Sequence, residues 1–327
     1  MDGVTTPLHP RDRRPLVERF RLALADDGDG LDQLATAEPV DRRDAVLSLL
    51  AVNDLHTAPL DRLHGTERFQ HHPDVATLKR RLVDRFLADL EARDADVDWQ
   101  LPDDAPKAMR ALGALGLVPD VYRWLSDEAS PAEVVAFLAY EGGPDGGFDD
   151  LVAACQIGLS GSAKVELAQN YWDEMGGGSL DLVHTELHHK LARALGLPDL
   201  DRADQPLQGL ERAALASVLA TNRRLQPEMV GALGLLELQA GPRCRKVVTA
   251  LERIGASEDA LHFYVEHATV DPRHGKDWVD KAVAPLATDP RWDAGIIRGA
   301  RWRSLVNAAF FEAVHHRFVP AAAALAS

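Results

Sequence analysis

The sequence is poor in cysteine, with only Cys155 and Cys244 among its 327 residues. Two such widely separated thiols provide neither a disulfide framework nor a Cys-x-x-Cys metal clip. We therefore expect a cytoplasmic protein, because reducing compartments keep thiols free, and we expect both cysteines to be small buried residues.

Positive charge and long apolar runs are also scarce. The chain has 36 basic and 51 acidic residues, which gives a net charge of −15. A nucleic-acid or anionic-membrane partner is disfavoured, because either would require a basic surface. The longest apolar runs, such as Val319–Ala326, are too short to cross a membrane, and the N-terminus has no apolar signal segment. We expect neither a membrane nor a nucleic-acid partner.

No stretch alternates convincingly between polar and apolar residues, which disfavours a β-sheet. Apolar residues instead recur at threes and fours, and this period predicts helices almost throughout. We predict an all-α protein with a variable helical region over 1–125, suited to dimerisation or to a lid, and a chemically active helical domain over 126–327. Three of the predicted helices matter below: Pro106–Trp124, Pro227–Ala240 and Arg243–Ile254.

In the stretch Leu261–Trp278, two of the three histidines and one of the two aspartates recur at helical spacing. His267, Asp271 and His274 fall at i, i+4 and i+7, within a sector of roughly 60° on one helix face. A helix face that packs on a core is normally apolar. Imidazole together with carboxylate is instead a ligand set for iron, manganese or zinc. The alternative is a solvated polar face that happens to carry histidines.

An acid and a histidine flank a run of three glycines. Glu174 lies two residues before Gly176–Gly178, and His184 follows ten residues after Glu174. Glycine costs about 1 kcal/mol relative to alanine inside a helix. Either a helix unwinds here beside a metal, or the glycines form a plain loop.

Two further acids lie in apolar surroundings. Glu237 is set into the apolar stretch Pro227–Ala240, so it is neutral, bound to a cation, or paired with Arg243 or Arg245. Glu141 ends another apolar stretch and is a second candidate ligand. Three nearby acids compete with it for this role: Glu133, Asp149 and Asp150.

Together, the candidate metal ligands are Glu141, Glu174, His184, Glu237, His267, Asp271 and His274. Carboxylates and histidines from several helices are typical of a di-iron centre inside a helical bundle. A ferritin-like bundle would need two Glu-x-x-His pairs, and position 177, three residues after Glu174, is glycine.

In the order of these motifs, the sequence resembles the haem-oxygenase-like di-metal oxidases and oxygenases, also called iron-containing redox enzymes. The resemblance covers roughly Pro131–Phe318. It rests on Asp-Glu-Met-Gly-Gly-Gly with its later histidine, on the lone glutamate of an apolar helix, and on the triplet His-x3-Asp-x2-His. Two features depart from the family pattern: Pro272 within the triplet, and the long glycine-rich connection after Glu141.

The resemblance implies a haem-oxygenase-like helical bundle without haem. It implies that the seven acids and histidines bind two iron ions and act in catalysis through them, with O2 as co-substrate. The implied activity is that of a non-haem di-iron oxidoreductase, which hydroxylates, desaturates or cleaves a small amino-acid-like substrate in natural-product biosynthesis. Candidate partners are an external electron donor and a second copy of the chain, and candidate anchors for a substrate carboxylate are Arg243, Arg245 and Lys246. The alternative is a non-catalytic helical scaffold or partner-binding protein.

Overall fold

The computed structural model describes residues 14–142 and 147–319, and no strand occurs in these two stretches. The α-helices, numbered α1 to α16 in chain order, are Leu16–Ala25, Leu31–Leu34, Arg42–Thr57, Leu60–Leu63, Pro73–Ala95, Ala105–Ala114, Asp120–Asp127, Pro131–Gly142, Phe148–Cys155, Gly161–Glu174, His184–Leu195, Leu207–Thr221, Gln226–Arg253, Glu258–Asp277, Ala284–Leu286 and Pro290–Phe318. A π-helical segment, Trp278–Val283, joins α14 to α15. No helix in the described stretches is both long and apolar enough to span a membrane.

The chain divides into two compact units between Arg93 and Asp94, within the last turn of α5. The sequence alone predicts a boundary after residue 125 instead. The difference arises because α6 and α7 belong to the second unit. Gln239 of α13 donates hydrogen bonds to backbone carbonyls at the end of α6, and Arg243 donates to the connection that follows.

The first unit is anchored by one buried carboxylate. Asp44 on α3 accepts hydrogen bonds from the backbone N–H groups of Leu16 and Val17, at 2.8 and 3.0 Å, and from that of Val40 at 2.9 Å. Because the first N–H groups of a helix have no partner within the helix, Asp44 satisfies two of these donors in α1. The start of α1 is thereby fixed against α3.

The second unit is built around α13, which packs against α14 on one side and α16 on another. Close approach requires glycine where the backbones meet. A Cβ atom at Gly275 of α14 would lie 2.8 Å from the Cα atom of Leu238 on α13, and Gly299 of α16 similarly faces the backbone of Glu228. The glycines therefore set the spacing of the helices that carry the candidate ligands.

Two predicted helix boundaries were wrong. The stretch from residue 106 to 124 is broken into α6 and α7, with Gly116 in the left-handed region at a φ of 58°. The two helices predicted over 227–254 are instead the single helix α13, which continues through Pro242. Gly241, the residue before this proline, packs against the ring of Pro272 on α14, so tertiary packing stabilises the continuous helix.

Candidate metal centre

Six of the seven candidate ligands converge into two groups of three. Glu174, His184 and His267 form the first group, called here the Glu174 cluster. The second, called the Glu237 cluster, is formed by Glu237, Asp271 and His274. Within each cluster, one potential ligand atom from each residue lies within 4.8 Å of the others. All six side chains are buried except His267, which is partly buried.

A glycine turn brings Glu174 and His184 together. Glu174 is the last residue of α10 and His184 the first of α11. Gly176–Gly178 between them forms a 3-10 turn in which all three glycines have positive φ. A Cβ atom at Gly176 would lie 2.5 Å from the carbonyl carbon of Leu182, so this close turn admits no side chain there. Of the two interpretations, the glycines form a tight loop beside the site rather than an unwound stretch of helix.

A single helix contributes to both clusters. His267, Asp271 and His274 all lie on α14, which is continuous through Pro272. His267 joins the Glu174 cluster, whereas Asp271 and His274, one turn further on, join the Glu237 cluster. The spacing i, i+4, i+7 thus places one helix face along both groups, as the sequence predicted.

Several buried atoms in the clusters have no hydrogen-bond partner within the described stretches: His184 Nδ1, His274 Nδ1 and Asp271 Oδ2. His184 Nδ1 lies 2.7 Å from Glu174 Oε2, but the two groups are not aligned for a hydrogen bond. His274 Nδ1 is 3.7 Å from Glu237 Oε2, which is too far for one. Burying an unsatisfied polar atom costs about 1–3 kcal/mol. A cation held between these atoms would satisfy them, so the residues present fit a bound metal.

The outer ring nitrogens of two histidines are held by hydrogen bonds. His267 Nδ1 donates to the carbonyl of Phe263 at 2.7 Å, and His274 Nε2 donates to Asp173 Oδ2 at 2.9 Å. Such contacts fix the tautomer and orientation of metal-binding histidines. His267 therefore offers Nε2 to a metal, and His274 offers Nδ1.

Sequence reasoning missed two supporting residues, Asn170 and Asp173. The Asn170 amide donates to Glu237 Oε1 at 2.8 Å, and Asp173 orients His274. A signal was available for Asn170, because it lies four positions before Glu174 and three before Asp173 and so neighbours both on the surface of α10.

Burial dominates the electrostatics of the Glu237 cluster. Burial, and next the charge of Glu174, raise the pKa of Glu237 to about 8. Burial and then the charge of Glu237 raise the pKa of Asp271 well above its ordinary value. Glu174 acts on both acids, which indicates that the two clusters are neighbours. Without a cation, this part of the site therefore holds protons near neutral pH.

The imidazole of His267 is neutral for the same physical reason. Burial, and next the nearby His184, lower the pKa of His267 to about 4. The rings of these two histidines lie 4.5 Å apart between centroids. Neutral imidazole is the form that binds metals, so His267 is ready to act as a ligand at neutral pH.

Glu141 lies outside both clusters, in contrast to the expectation from the sequence. Its Oε1 accepts a hydrogen bond from the Tyr122 hydroxyl at 2.7 Å, and its Oε2 accepts one from the Tyr264 hydroxyl at 2.8 Å. Both carboxylate oxygens of Glu141 therefore accept a hydrogen bond from a tyrosine hydroxyl. Its competitors also lie outside both clusters: Glu133, Asp149 and Asp150.

The three basic residues proposed to bind a substrate carboxylate form hydrogen bonds to other groups of the protein. Arg243 donates to Gln239 and to the carbonyls of Gly116 and Leu117. Arg245 donates to a carbonyl of α14, and Lys246 to Ser126. The alternative in which Glu237 pairs with Arg243 or Arg245 is therefore not formed in the described stretches. Arg273 instead reaches the site, with a guanidinium nitrogen 2.9 Å from Asp173 Oδ2.

Buried carboxylate and imidazole clusters on facing helices of an all-α chain are typical of helical proteins that bind metal ions without haem. The family model described as iron-containing redox enzyme matches residues 135–308, more than half of the sequence, and the chain belongs to this family. The resemblance seen in the sequence and the all-α, haem-oxygenase-like fold class are thereby confirmed, and the two clusters are compatible with iron.

Among solved structures, the chain is similar to a CADD-like protein of unknown function from Nostoc punctiforme. The two share 16% sequence identity with a TM-score of 0.49, over 72% of this chain and 98% of that one. No curated protein matches the sequence.

Proposed function

We propose that this protein is an O2-dependent non-haem di-iron oxidase or oxygenase that acts on a small amino-acid-like substrate. The observation that carries the proposal is the pair of neighbouring three-residue clusters that share α14. Each cluster provides at least one carboxylate and one imidazole, which suits one iron ion per cluster. The charge balance also supports two ferrous ions, since the three carboxylates of the two clusters offset most of their positive charge.

Bound iron would supply electrons that reduce O2, and O2 would be the oxidant for the substrate. The chain itself would hold the ions with Glu174, His184 and His267 in one cluster and with Glu237, Asp271 and His274 in the other. Asp173 and the Phe263 carbonyl keep the His274 and His267 rings oriented. Because the ligand side chains are buried, bulk water is largely excluded from them.

The proposal for an amino-acid-like substrate rests on the family resemblance and on the groups beside the clusters. The ring of Phe263 lies 4.3 Å from that of His267 between centroids and offers an apolar wall. Arg273, next in sequence to His274, is an exposed cation that can bind a substrate carboxylate through charge-assisted hydrogen bonds. A role in natural-product biosynthesis, an external electron donor and a homodimer are further parts of the proposal.

Oxygen consumption tests the proposed activity. Protein loaded anaerobically with Fe(II) should consume O2 faster when the correct amino acid is added, and mass spectrometry should detect a hydroxylated, desaturated or shortened product. The variant Arg273→Gln tests the proposed carboxylate-binding residue, because it removes the cation. It should raise the KM for an amino acid more than it lowers kcat. An iron-loaded protein that consumes no O2 with any amino acid would contradict the proposal.

The alternative of a non-catalytic scaffold predicts solvated acids and histidines. The opposite burial pattern, with buried atoms of Asp271 and His274 that have no hydrogen-bond partner in the described stretches, favours the metalloenzyme. Anomalous scattering from crystals soaked in Fe(II) distinguishes the two, since a scaffold would contain no ordered iron at these residues.

Metal binding should release protons near neutral pH. A carboxyl group whose folded pKa is raised to about 8 is largely protonated at pH 7, and a cation must displace that proton. Iron affinity should therefore fall as the pH falls below about 8. Anaerobic calorimetry in buffers of different ionisation enthalpy would measure the release, which should be larger at pH 7 than at pH 9.

The same pKa shift affects the metal-free fold. The folded state binds the Glu237 proton more tightly than the unfolded state, whose pKa is near the ordinary 4.5. The contribution of Glu237 to stability is therefore present below pH 4.5 and is lost as the pH rises towards about 8. In the calorimetric experiment, iron binding that releases no protons at either pH 7 or pH 9 would contradict a protonated Glu237.

A further inference from the structure

Two buried tyrosines from different helices share one carboxylate. Tyr122 of α7 is 1% exposed, and Tyr264 of α14 is 2% exposed. The hydroxyl of Tyr122 donates to Glu141 Oε1 at 2.7 Å, and that of Tyr264 donates to Glu141 Oε2 at 2.8 Å. A carboxylate that accepts at both oxygens is in the ionised form. Glu141 is therefore a proton acceptor within hydrogen-bond distance of both phenols.

These three side chains are called here the tyrosine relay. Because one carboxylate binds both hydroxyls, a proton that arrives at one oxygen can be matched by a proton that leaves from the other. Hydrogen bonds linked in this way polarise one another in a buried environment. The relay thus provides a path for protons between two phenols that belong to separate helices.

One end of the relay lies beside the Glu174 cluster. Tyr264 is three residues before the candidate ligand His267 on α14, so the two side chains are neighbours on the helix surface. The ring of Phe263 lies 5.1 Å from that of Tyr264 and 4.3 Å from that of His267, between centroids. The His267 ring lies 4.5 Å from that of His184. A series of ring contacts therefore leads from Tyr264 to two candidate metal ligands.

The other end of the relay is enclosed by aromatic rings. The Tyr122 ring meets Phe137 edge to face at 5.4 Å and Phe311 at 5.2 Å, between centroids. All three side chains are buried. Dissolved reductants therefore have little access to this phenol, and an oxidised form of it would be protected.

The surroundings of the relay disfavour simple ionisation of either phenol. Burial, and next the charge of Glu141, raise the pKa of Tyr122 and of Tyr264 well above the ordinary value. Loss of an electron has the opposite effect, because an oxidised phenol is a strong acid. The proton would then move to the carboxylate oxygen that already binds it, so electron loss and proton transfer occur together.

We propose that Tyr264 donates one electron to the metal centre and that Glu141 accepts the phenolic proton. The inference rests on the proposed function for its oxidant, which is bound iron that has reacted with O2. The O–H bond of Tyr264 breaks, the electron reduces the iron by one unit, and the proton binds Glu141 Oε2. A neutral tyrosyl radical remains on Tyr264.

The second tyrosine extends the relay by one step. Tyr122 reduces the Tyr264 radical with one electron, and the Tyr122 proton binds Glu141 Oε1. The proton on Glu141 Oε2 returns to Tyr264, so the carboxylate is ionised again and the radical lies on Tyr122. The relay thereby supplies one electron to the site and keeps the resulting radical in the interior.

Flash photolysis of the iron-free full chain tests the relay separately from the iron chemistry. A photogenerated ruthenium(III) tris(bipyridyl) complex is the one-electron oxidant, and electron paramagnetic resonance detects the tyrosyl radical. We expect Glu141→Gln to lower the radical yield at least about tenfold, because the amide cannot accept the proton. The double variant Tyr122→Phe, Tyr264→Phe should lose the same signal and tests the relay if Glu141→Gln does not fold.

Tyr171→Phe is the matched control. Tyr171 is also three residues from a candidate ligand, Glu174, but it is not one of the two tyrosines bound to Glu141. This variant should keep the wild-type radical yield. The relay is overturned if the double variant keeps that yield, or if Tyr171→Phe loses it.

The iron-loaded protein tests the donation itself. After mixing with O2 and rapid freezing, the wild-type protein should show the tyrosyl signal, and Tyr264→Phe should lower it at least about tenfold. Oxygen consumption without a radical that depends on Tyr264 would overturn electron donation to the iron. If the loaded protein consumes no O2, the proposed oxidase fails, and the ruthenium experiment still decides whether the relay exists.

Discussion

Alanine at His267 or at Glu237 is expected to halve the iron content, from two ions per chain to one. Each substitution removes one of three ligands from a single cluster and leaves the other cluster complete. Loss of a residue that merely supports a metal ligand already weakens binding about 10–100-fold, so loss of a ligand should empty its cluster at micromolar Fe(II). Anaerobic Fe(II) titration with elemental analysis measures the content, and circular dichroism measures the helicity, which should change little.

His189→Ala and Glu186→Ala are matched controls on α11, because both side chains are largely exposed and belong to neither cluster. Both should retain two ions. Iron content that is unchanged in His267→Ala and in Glu237→Ala would rule out the assigned ligands. The His267→Ala variant retains an intact Glu237 cluster, so the two variants also report on the clusters separately.

Gly275→Ala should both destabilise the fold and weaken metal binding at the Glu237 cluster. The new Cβ atom would lie 2.8 Å from Leu238 Cα and 2.9 Å from the Glu237 carbonyl oxygen, and backbone atoms cannot rotate away. Helices α13 and α14 must therefore move apart, which separates Glu237 from Asp271 and His274. Overpacking of this kind typically costs about 1–3 kcal/mol. Thermal unfolding measures the first effect, and iron titration the second.

Gly113→Ala is the matched control because it contacts the same residue, Leu238. At this position the nearest atoms belong to the Leu238 side chain, at 3.1 and 3.2 Å. The atom at 3.1 Å is Leu238 Cβ, which needs to shift by only a few tenths of an ångström, and Cδ1 at 3.2 Å can rotate away. Alanine is favoured over glycine inside a helix by roughly 0.5–1 kcal/mol. We expect a small change in stability and unchanged iron content. Equal stability and iron content in Gly113→Ala and Gly275→Ala would show that backbone spacing does not control the site.

The convergence of six candidate ligands could be predicted because their signals are local. His267, Asp271 and His274 share a face through helix periodicity alone, and the glycines after Glu174 require a turn whatever the rest of the fold does. Glu237 was found through its apolar surroundings, which require a partner for a buried acid. These inferences depend on short stretches of chain and on the chemistry of each side chain. Their role as metal ligands stays a prediction.

The errors concern partners that are distant in the sequence. Glu141 was correctly recognised as an acid in apolar surroundings, but burial only requires a partner and does not identify it. Tyr122 and Tyr264 supply the hydroxyls from two other helices. The continuity of α13 depends likewise on Gly241 meeting Pro272 of α14, which no local pattern indicates. The helices after Asp94 belong with the second unit because α13 binds their terminal carbonyls.

The shared carboxylate of Glu141 also determines how far α14 can turn about its own axis. Tyr264 is three residues before His267, so its hydroxyl and the His267 imidazole project from neighbouring positions along the same side of α14. The Tyr264 hydroxyl donates to Glu141 Oε2 at the end of α8, and the Tyr122 hydroxyl of α7 donates to Glu141 Oε1. These two hydrogen bonds restrict rotation of α14 about its axis. Glu141 thus contributes to the site at a distance, by fixing the angular register of the helix that serves both clusters.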